Sequence, residues 1–231
     1  MRIIAIGDIH GRSSWEKILE KEKYDRCIFM GDYLDSREGI AADQQLKNFE
    51  AILNFKRKNL SSITLLLGNH DYHYLLTNSE RYSGFQPEIQ AEAAHMLQPA
   101  IDAGHIQPCL ITENLLFSHA GITNTWCKKN NVHMIDLQNE INQLLQTRPD
   151  AFQFTYGKNF SPFGDDIDQS PIWVRPNSLK EDMIHGYTQI VGHTTQNKIR
   201  TDDNLLLIDT LGTSHEYLIW ENGNFDTGCY L

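Results

Sequence analysis

Short apolar runs recur along the chain at residues 3–6, 27–30, 63–67, 115–117, 190–191 and 205–208, and their length and flanks read as buried strands. Helical spacing lies between several of them. Ser13 or Ser14 is placed to cap a helix running to Lys21. Residues 42–58 set Ala42, Leu46, Phe49, Ile52 and Leu53 on one face and end in a basic turn, Lys56-Arg57-Lys58. Residues 134–147 repeat the pattern through Ile141, Leu144 and Leu145, with Pro149 as the stop. The first half is therefore βαβαβ, which predicts parallel strands joined by right-handed crossovers. The second half offers close pairs instead. Residues 109–112 and 115–118 flank Glu113-Asn114, and residues 205–209 precede 217–220; both pairs read as hairpins, so the sheets are expected to be mixed. Without an internal repeat or a linker, residues 1–231 are expected to form one domain. The stretch 155–178, rich in Gly, Pro, Asp and Asn, is long enough for a loop to be expected to carry function.

Composition narrows the class. At 231 residues, with 40% hydrophobic and 10% aromatic content, the chain is long and apolar enough for its own core. A formal net charge of −10, with basic clusters only at Lys56-Arg57-Lys58 and Lys128-Lys129, counts against a non-specific nucleic-acid partner. The apolar runs fall far short of the roughly 20 residues that span a membrane, so no membrane partner is expected. Cys27, Cys109, Cys127 and Cys229 stand apart without a CxxC pair, a usage that suits reduced thiols. The first apolar run enters Gly7-Asp8 directly, unlike a signal peptide, and a cytoplasmic location is the expectation.

How the strands end carries the chemistry. The first is followed by Gly7-Asp8, the second by Gly31-Asp32, the third by Gly68-Asn69, another by Ser118-His119 and another by Gly192-His193. In open α/β sheets the carboxyl ends of neighbouring strands share one edge, where ligands bind. Glycine before the ligand lets the backbone turn sharply. A single Asp after a strand is ordinarily a turn residue or a helix cap, but capping gives no reason for Asn and His at the same places. The set Asp8, His10, Asp32, Asn69, His119 and His193 offers carboxylate, imidazole and amide donors and no thiolate, which suits Mn²⁺, Fe or Zn²⁺. Six such donors exceed what one tetrahedral ion takes, so two divalent ions sharing a carboxylate are expected.

The ordered stretches Gly7-Asp8-Ile9-His10-Gly11, Gly31-Asp32-Tyr33-Leu34-Asp35, Gly68-Asn69-His70-Asp71, Ser118-His119-Ala120-Gly121 and Gly192-His193-Thr194 resemble the motifs of the calcineurin-like metallophosphoesterases. Within that family the chain most resembles bacterial and phage members of the serine/threonine phosphoprotein phosphatase group, of the bacteriophage lambda phosphatase type. The resemblance implies an α/β fold, an αββα sandwich of two mixed sheets flanked by helices. It implies that Asp8, His10 and Asp32 hold the first ion, with Asp32 bridging, and that Asn69, His119 and His193 hold the second. It implies that His70 is the general acid or base at the leaving oxygen, oriented by Asp35.

Two departures bear on the phosphate. The eukaryotic branch carries Arg directly after the second Asp of its GDYxD motif, whereas here Ser36 stands there and Arg37 follows; the third motif ends in Asp71 where that branch has Glu. Arg175, in Ile172-Trp173-Val174-Arg175, is therefore favoured over Arg37 as the phosphate-binding fork. His193-Thr194-Thr195 lacks the second His of many diesterases, which points to a phosphorylated protein or a nucleotide polyphosphate as substrate. The expected activity is a phosphomonoesterase of the protein phosphatase type, with diadenosine tetraphosphate or related polyphosphates as the alternative. A scaffold without chemistry is disfavoured, because all six donors and the His70–Asp35 pair are present. His73, His95, His105, His133, His185 and His215 match no motif and are expected in structural or surface roles. Asp165, Asp166 and Asp168 are expected to face water, and Asp209, just past a strand, to support a ligand.

Overall fold

Alternate residues of β1 (Arg2–Ile6) point to opposite faces, and both faces are apolar: Ile3 and Ala5 on one, Ile4 and Ile6 on the other, each buried. A strand of that kind needs cover on both sides. In the computed structural model, which describes residues 1–75, 81–158 and 160–231, it has it. Ile3 and Ala5 join Ile28, Met30, Phe117, Ile190 and Leu206 in a core between two sheets, while Ile4 and Ile6 pack with Phe29, Phe49 and Leu97 under helices.

Among the described residues one sheet has six strands in the order β11-β10-β1-β2-β3-β4 and the other five in the order β5-β6-β7-β9-β8. The expected βαβαβ half runs β1, α1 (Ser14–Lys21), β2 (Arg26–Phe29), α2 (Ala42–Lys58) and β3 (Ile63–Leu66), with the three strands parallel. Ser13 precedes α1 without a side-chain cap. After the short α3 (Asn69–Tyr72), α4 (Gln90–Asp102) leads to β4 (Ile106–Gln107), which adds in parallel to β3. The second sheet opens with the expected hairpin of β5 (Cys109–Thr112) and β6 (Leu115–Ser118). Then come α5 (Asn124–Lys129), α6 (Leu137–Thr147), α7 (Pro176–Asp182), β7 (Thr188–Val191), β8 (Arg200–Asp202) and β9 (Leu205–Leu207). Leu179 of α7 covers the outer face of this sheet against Val191, Leu205 and Leu207. The architecture is the expected α/β sandwich of two mixed sheets between helical layers.

Several expectations are corrected. The run 205–209 does not pair with 217–220. β9 is flanked by β7 and β8, and β10 (Glu216–Glu221) crosses to the other sheet, where Trp220 lies opposite Ile3 and the free edge of β1 is closed. The hairpin of β10 is with β11 (Asn224–Cys229). Its turn is Asn222-Gly223, with φ of 51° and 88°, and positive φ at both central residues matches the right-handed twist of a hairpin. Residues 134–136 form a 3-10 turn rather than the start of α6. The stretch 155–178 ends in the first residues of α7, where Asp165 accepts from Ser178 N at 3.1 Å and Ser178 Oγ at 3.0 Å. Asp166 is buried and Asp165 and Asp168 are half-buried, so none of the three faces water freely. Among the described residues no helix is long and apolar enough to cross a membrane, and the four cysteines are unpaired.

Candidate metal centre and catalytic pocket

The carboxyl ends of β1, β2, β3, β6, β7 and β9 meet along one edge, and one small pocket there is lined by Asp8, His10, Asp32, Asn69, His70, His193 and Asp209, with Arg37 and Arg175 on its wall. His119 lies just beneath, fully buried, with Nε2 3.5 Å from Asp32 Oδ2 and 3.0 Å from Asn69 Oδ1. His193 Nδ1 approaches the same Asn69 oxygen at 2.9 Å, and His10 Nε2 stands 3.7 Å from Asp32 Oδ2. All six donors expected from the strand ends are thus brought together. Asp209, just past β9, accepts from Thr195 Oγ1 at 2.7 Å.

Two glycines make room for this. A Cβ on Gly192 would lie 2.1 Å from Asp8 Oδ1, and one on Gly68 would lie 2.1 Å from Asp32 Oδ1. The Asp32 turn is held by Asp71. Its carboxylate accepts from Asp32 N at 2.8 Å, Tyr33 N at 2.8 Å and Gly68 N at 2.9 Å, while Asp32 Oδ1 accepts from His70 N at 2.9 Å.

The donor set fits divalent cations. His119 Nδ1 contacts the Met30 carbonyl at 2.7 Å and His10 Nδ1 the Leu34 carbonyl at 2.9 Å, which places the proton on Nδ1 and leaves Nε2 as a lone pair toward the cluster. Burial lowers the pKa of both rings, against the pull of Asp32. His119 Nε2 then faces Asn69 Oδ1 acceptor to acceptor, an arrangement that a cation between them relieves. Burial pushes Asp8 well above the usual carboxylate range, and Asp209 and Asp32 add to the effect. Asp32 is also penalised by burial, but His119, His70 and His10 outweigh it and hold its pKa below that range. Among the described residues Asp8, Asp32 and His119 form one group close enough to share an ion, and Asp35, His70 and His73 form another. The second group is in direct contact: Asp35 Oδ2 lies 2.8 Å from His70 Nδ1 and 2.7 Å from His73 Nε2. Ligands about 2.0–2.1 Å from one ion stand about 3 Å or more apart, so these are hydrogen-bonding and ion-pair contacts.

Asp35 also accepts from Tyr74 Oη at 2.5 Å. Burial opposes its charge, yet His70 and His73 bring its pKa down to about 2. Burial likewise lowers His70, but Asp32 and Asp35 outweigh it and raise the ring above its ordinary value. Arg175 is anchored by Nε to the Phe163 carbonyl at 2.8 Å and by Nη1 to Thr194 Oγ1 at 3.1 Å, whereas Arg37 is exposed. Beside the metal pocket opens a cleft of about 450 Å³ walled by Tyr82, Phe154, Tyr156, Phe163 and Trp173, with Arg81 and Arg175 at its sides. Tyr82, Ser83, Trp173 and Arg175 line both spaces.

His73, expected in a structural or surface role, is fully buried against Asp35, and its place beside the His70–Asp35 pair is what sequence reasoning missed. Its spacing of three from His70 was the available signal. The other histidines behave as expected: His95 and His185 are exposed, His105 is half-buried, His133 pairs with Glu140 and His215 with Tyr230.

The fold is shared with distant solved structures. A cold-active protein-tyrosine phosphatase of a psychrophilic Shewanella species superposes with a TM-score of 0.64 at 15% identity, covering 99% of this chain and 78% of its own. A protein serine/threonine phosphatase from Saccharomyces cerevisiae gives 0.58 at 12% identity, with 99% and 80% covered. A search of curated proteins finds no match. A family model, for calcineurin-like phosphoesterases, matches residues 1–194, the span that contains every donor of the pocket from Asp8 to His193. A site of carboxylates, imidazoles and an amide at converging strand ends, inside that match, places this phosphoester hydrolase in the calcineurin-like phosphoesterase family.

Proposed function

We propose that the chain is a two-metal phosphomonoesterase of the serine/threonine protein phosphatase type. The observation that carries the reading is the convergence of Asp8, His10, Asp32, Asn69, His119 and His193 on one pocket that a buried His–Asp pair adjoins. Asp8, His10 and Asp32 would hold one ion, and Asn69, His119 and His193 the second, with Asp32 shared. When bound, such ions supply a hydroxide near neutral pH and neutralise charge that develops on the phosphoryl group. The chain's own residues do the rest. Arg175, with Nε on the Phe163 carbonyl and Nη1 on the His193 carbonyl and Thr194, keeps Nη2 for a phosphoryl oxygen at the pocket wall, with Arg37 as a second cation lining the pocket. Asp35 takes His70 Nδ1–H, which leaves Nε2 to deliver a proton to the departing alkoxide. The raised pKa of His70 keeps that proton available near neutrality.

The aromatic cleft favours one second reading, a nucleotide polyphosphate whose base stacks between Tyr82, Tyr156 and Trp173. The deciding experiment compares kcat/KM with Mn²⁺ on a phosphothreonine peptide and on diadenosine tetraphosphate, with His70→Ala as the blank. A faster peptide reaction supports the proposal. A faster dinucleotide reaction replaces it with polyphosphate hydrolysis, and no metal-dependent turnover of either overturns both.

A further inference from the structure

His73 is fully buried, yet its ring nitrogens are committed to neighbours of the site rather than to the core. Nδ1 accepts the backbone N–H of Tyr82 at 3.2 Å, so the ring proton sits on Nε2. Nε2 lies 2.7 Å from Asp35 Oδ2, a close ion-pair contact outside hydrogen-bonding geometry, and has no hydrogen-bond partner elsewhere. The same oxygen receives His70 Nδ1 at 2.8 Å, while Tyr74 Oη holds the other oxygen. The His73 ring is boxed by aromatic groups: it stacks on Tyr82 with 5.4 Å between centroids and meets Phe85 and Tyr74 edge-on at 5.1 and 4.6 Å. A ring with so little freedom fixes what it touches.

We propose that His73 is a positioning residue for proton delivery: it holds the same Asp35 oxygen that takes His70, so that the His70 ring is presented to the leaving oxygen in one orientation set by the Tyr82 wall of the substrate cleft. The inference rests on the reading of His70 as the proton donor. Without His73, Oδ2 of Asp35 is held by His70 alone while Tyr74 Oη and Gln86 Nε2 hold Oδ1 at 2.5 and 3.4 Å, so the carboxylate can pivot about the Oδ1 contacts and His70 follows it. Two imidazoles on one oxygen and a tyrosine on the other remove that rotation. Tyr82 belongs to both spaces, so a substrate packed against it presses on the same chain of contacts.

A proton donor matters in proportion to the basicity of the leaving group. The test therefore measures kcat for phenyl phosphate and for 2,4-dinitrophenyl phosphate, with saturating Mn²⁺, in the parent, His73→Phe, His73→Gln and His70→Ala. His73→Phe keeps the ring packing and removes both nitrogens. It is expected to lose on the order of tenfold on phenyl phosphate, a fraction of the full general-acid contribution, and to stay within about twofold on the dinitrophenyl ester. His73→Gln, with an amide N–H at the place of Nε2, is expected to recover most of the phenyl phosphate rate. Should His73→Phe fail to fold, His73→Asn, which keeps an acceptor for Tyr82 and loses the reach to Asp35, carries the same prediction. Equal losses on both esters in the His73 variants overturn the proposal and leave a packing role. Equal losses in His70→Ala overturn the reading of His70 beneath it, and the two failures are told apart by the variant that shows them.

Discussion

Asp71→Asn tests whether the site is built as described, because Asp71 touches no substrate and acts only through the turn that presents Asp32. Its buried carboxylate takes three backbone N–H groups, from Asp32, Tyr33 and Gly68, all at 2.8–2.9 Å. Burial, and Asp32 beside it, push the Asp71 pKa up, whereas three donors and no acceptor favour the ionised form that alone satisfies them. Asparagine keeps one acceptor oxygen. Whichever way the amide turns, its NH₂ meets at least one inward N–H, so one charge-assisted hydrogen bond of about 1.5–3 kcal/mol is lost and a buried donor is stranded. Asp32 also sits at a φ of 51°, a left-handed conformation that costs about 1 kcal/mol or more and that these bonds hold in place. The sum, allowing for overlap, is about 3 kcal/mol. For a chain of this length each kcal/mol moves Tm by about 2–4 °C, so the expected fall is about 6–12 °C. The melt is recorded by circular dichroism in excess chelator, so that metal loss does not contribute, and Mn²⁺ is then titrated back. The variant is expected to need more metal for the same gain in Tm. A melt within about 2 °C of the parent in chelator would refute the reasoning.

The other expectations follow from the same contacts. Mn²⁺ at 100 times its Kd is expected to stabilise the parent by about 2.7 kcal/mol relative to chelator; Asn69→Ala should lose most of that gain in a thermal melt, and an undiminished gain would remove Asn69 from the ligand set. Asp35, held at about 2 against an ordinary 3.8, has a depressed pKa, so its stabilisation is present above about pH 4 and is lost as pH falls toward 2. That shift corresponds to about 2 kcal/mol, and urea midpoints of Asp35→Asn should fall less steeply than those of the parent between pH 4 and 2. Gly192→Ala puts a Cβ into Asp8 Oδ1 and is expected to cut Mn²⁺-dependent kcat/KM by tenfold or more, and an unchanged value would remove the close approach of Gly192 to Asp8 from the account of the site.

The metal pocket was legible because its determinants are local. Five of the six donors follow an apolar run by two residues, and parallel strands bring their carboxyl ends together, so Asp8, Asp32, Asn69 and His193 could be placed without long-range information. What failed is non-local. The run at 217–220 looked like the partner of 205–209 because they are near in sequence, but β10 pairs with β1, more than 200 residues away, where an open edge needed closing. The helix α4 escaped notice because Ala93, Ala94 and Ala100 dilute its apolar face and Pro99 lies within it. His73, Tyr82 and Trp173 come from a short helix end and two loops, and no periodicity reports which side chain a loop turns inward.

The backbone at the site explains why the recognisable motifs are so short. His10, Asp32, Asp35 and His193 all carry positive φ, between 44° and 61°, although none is glycine. Side chains avoid that region, at about 1–3 kcal/mol per residue, and four such residues in one pocket are costly for a fold whose net stability is about 5–15 kcal/mol. Of the adjoining glycines at 7, 31, 68 and 192 only Gly31 takes a positive φ, 104°; all four give space for carboxylates and backbone to approach. The strain is instead held by hydrogen bonds: Asp71 on the Asp32 turn, His193 N on Asp8 at 3.0 Å, and His10 N on the Asp32 carbonyl at 2.6 Å. Each bond joins one strand end to another. The donors are therefore not appended to finished strands but lock the strand ends to one another, and this is why perturbing a residue such as Asp71, which contacts no substrate, should register both in the melt and in the metal titration.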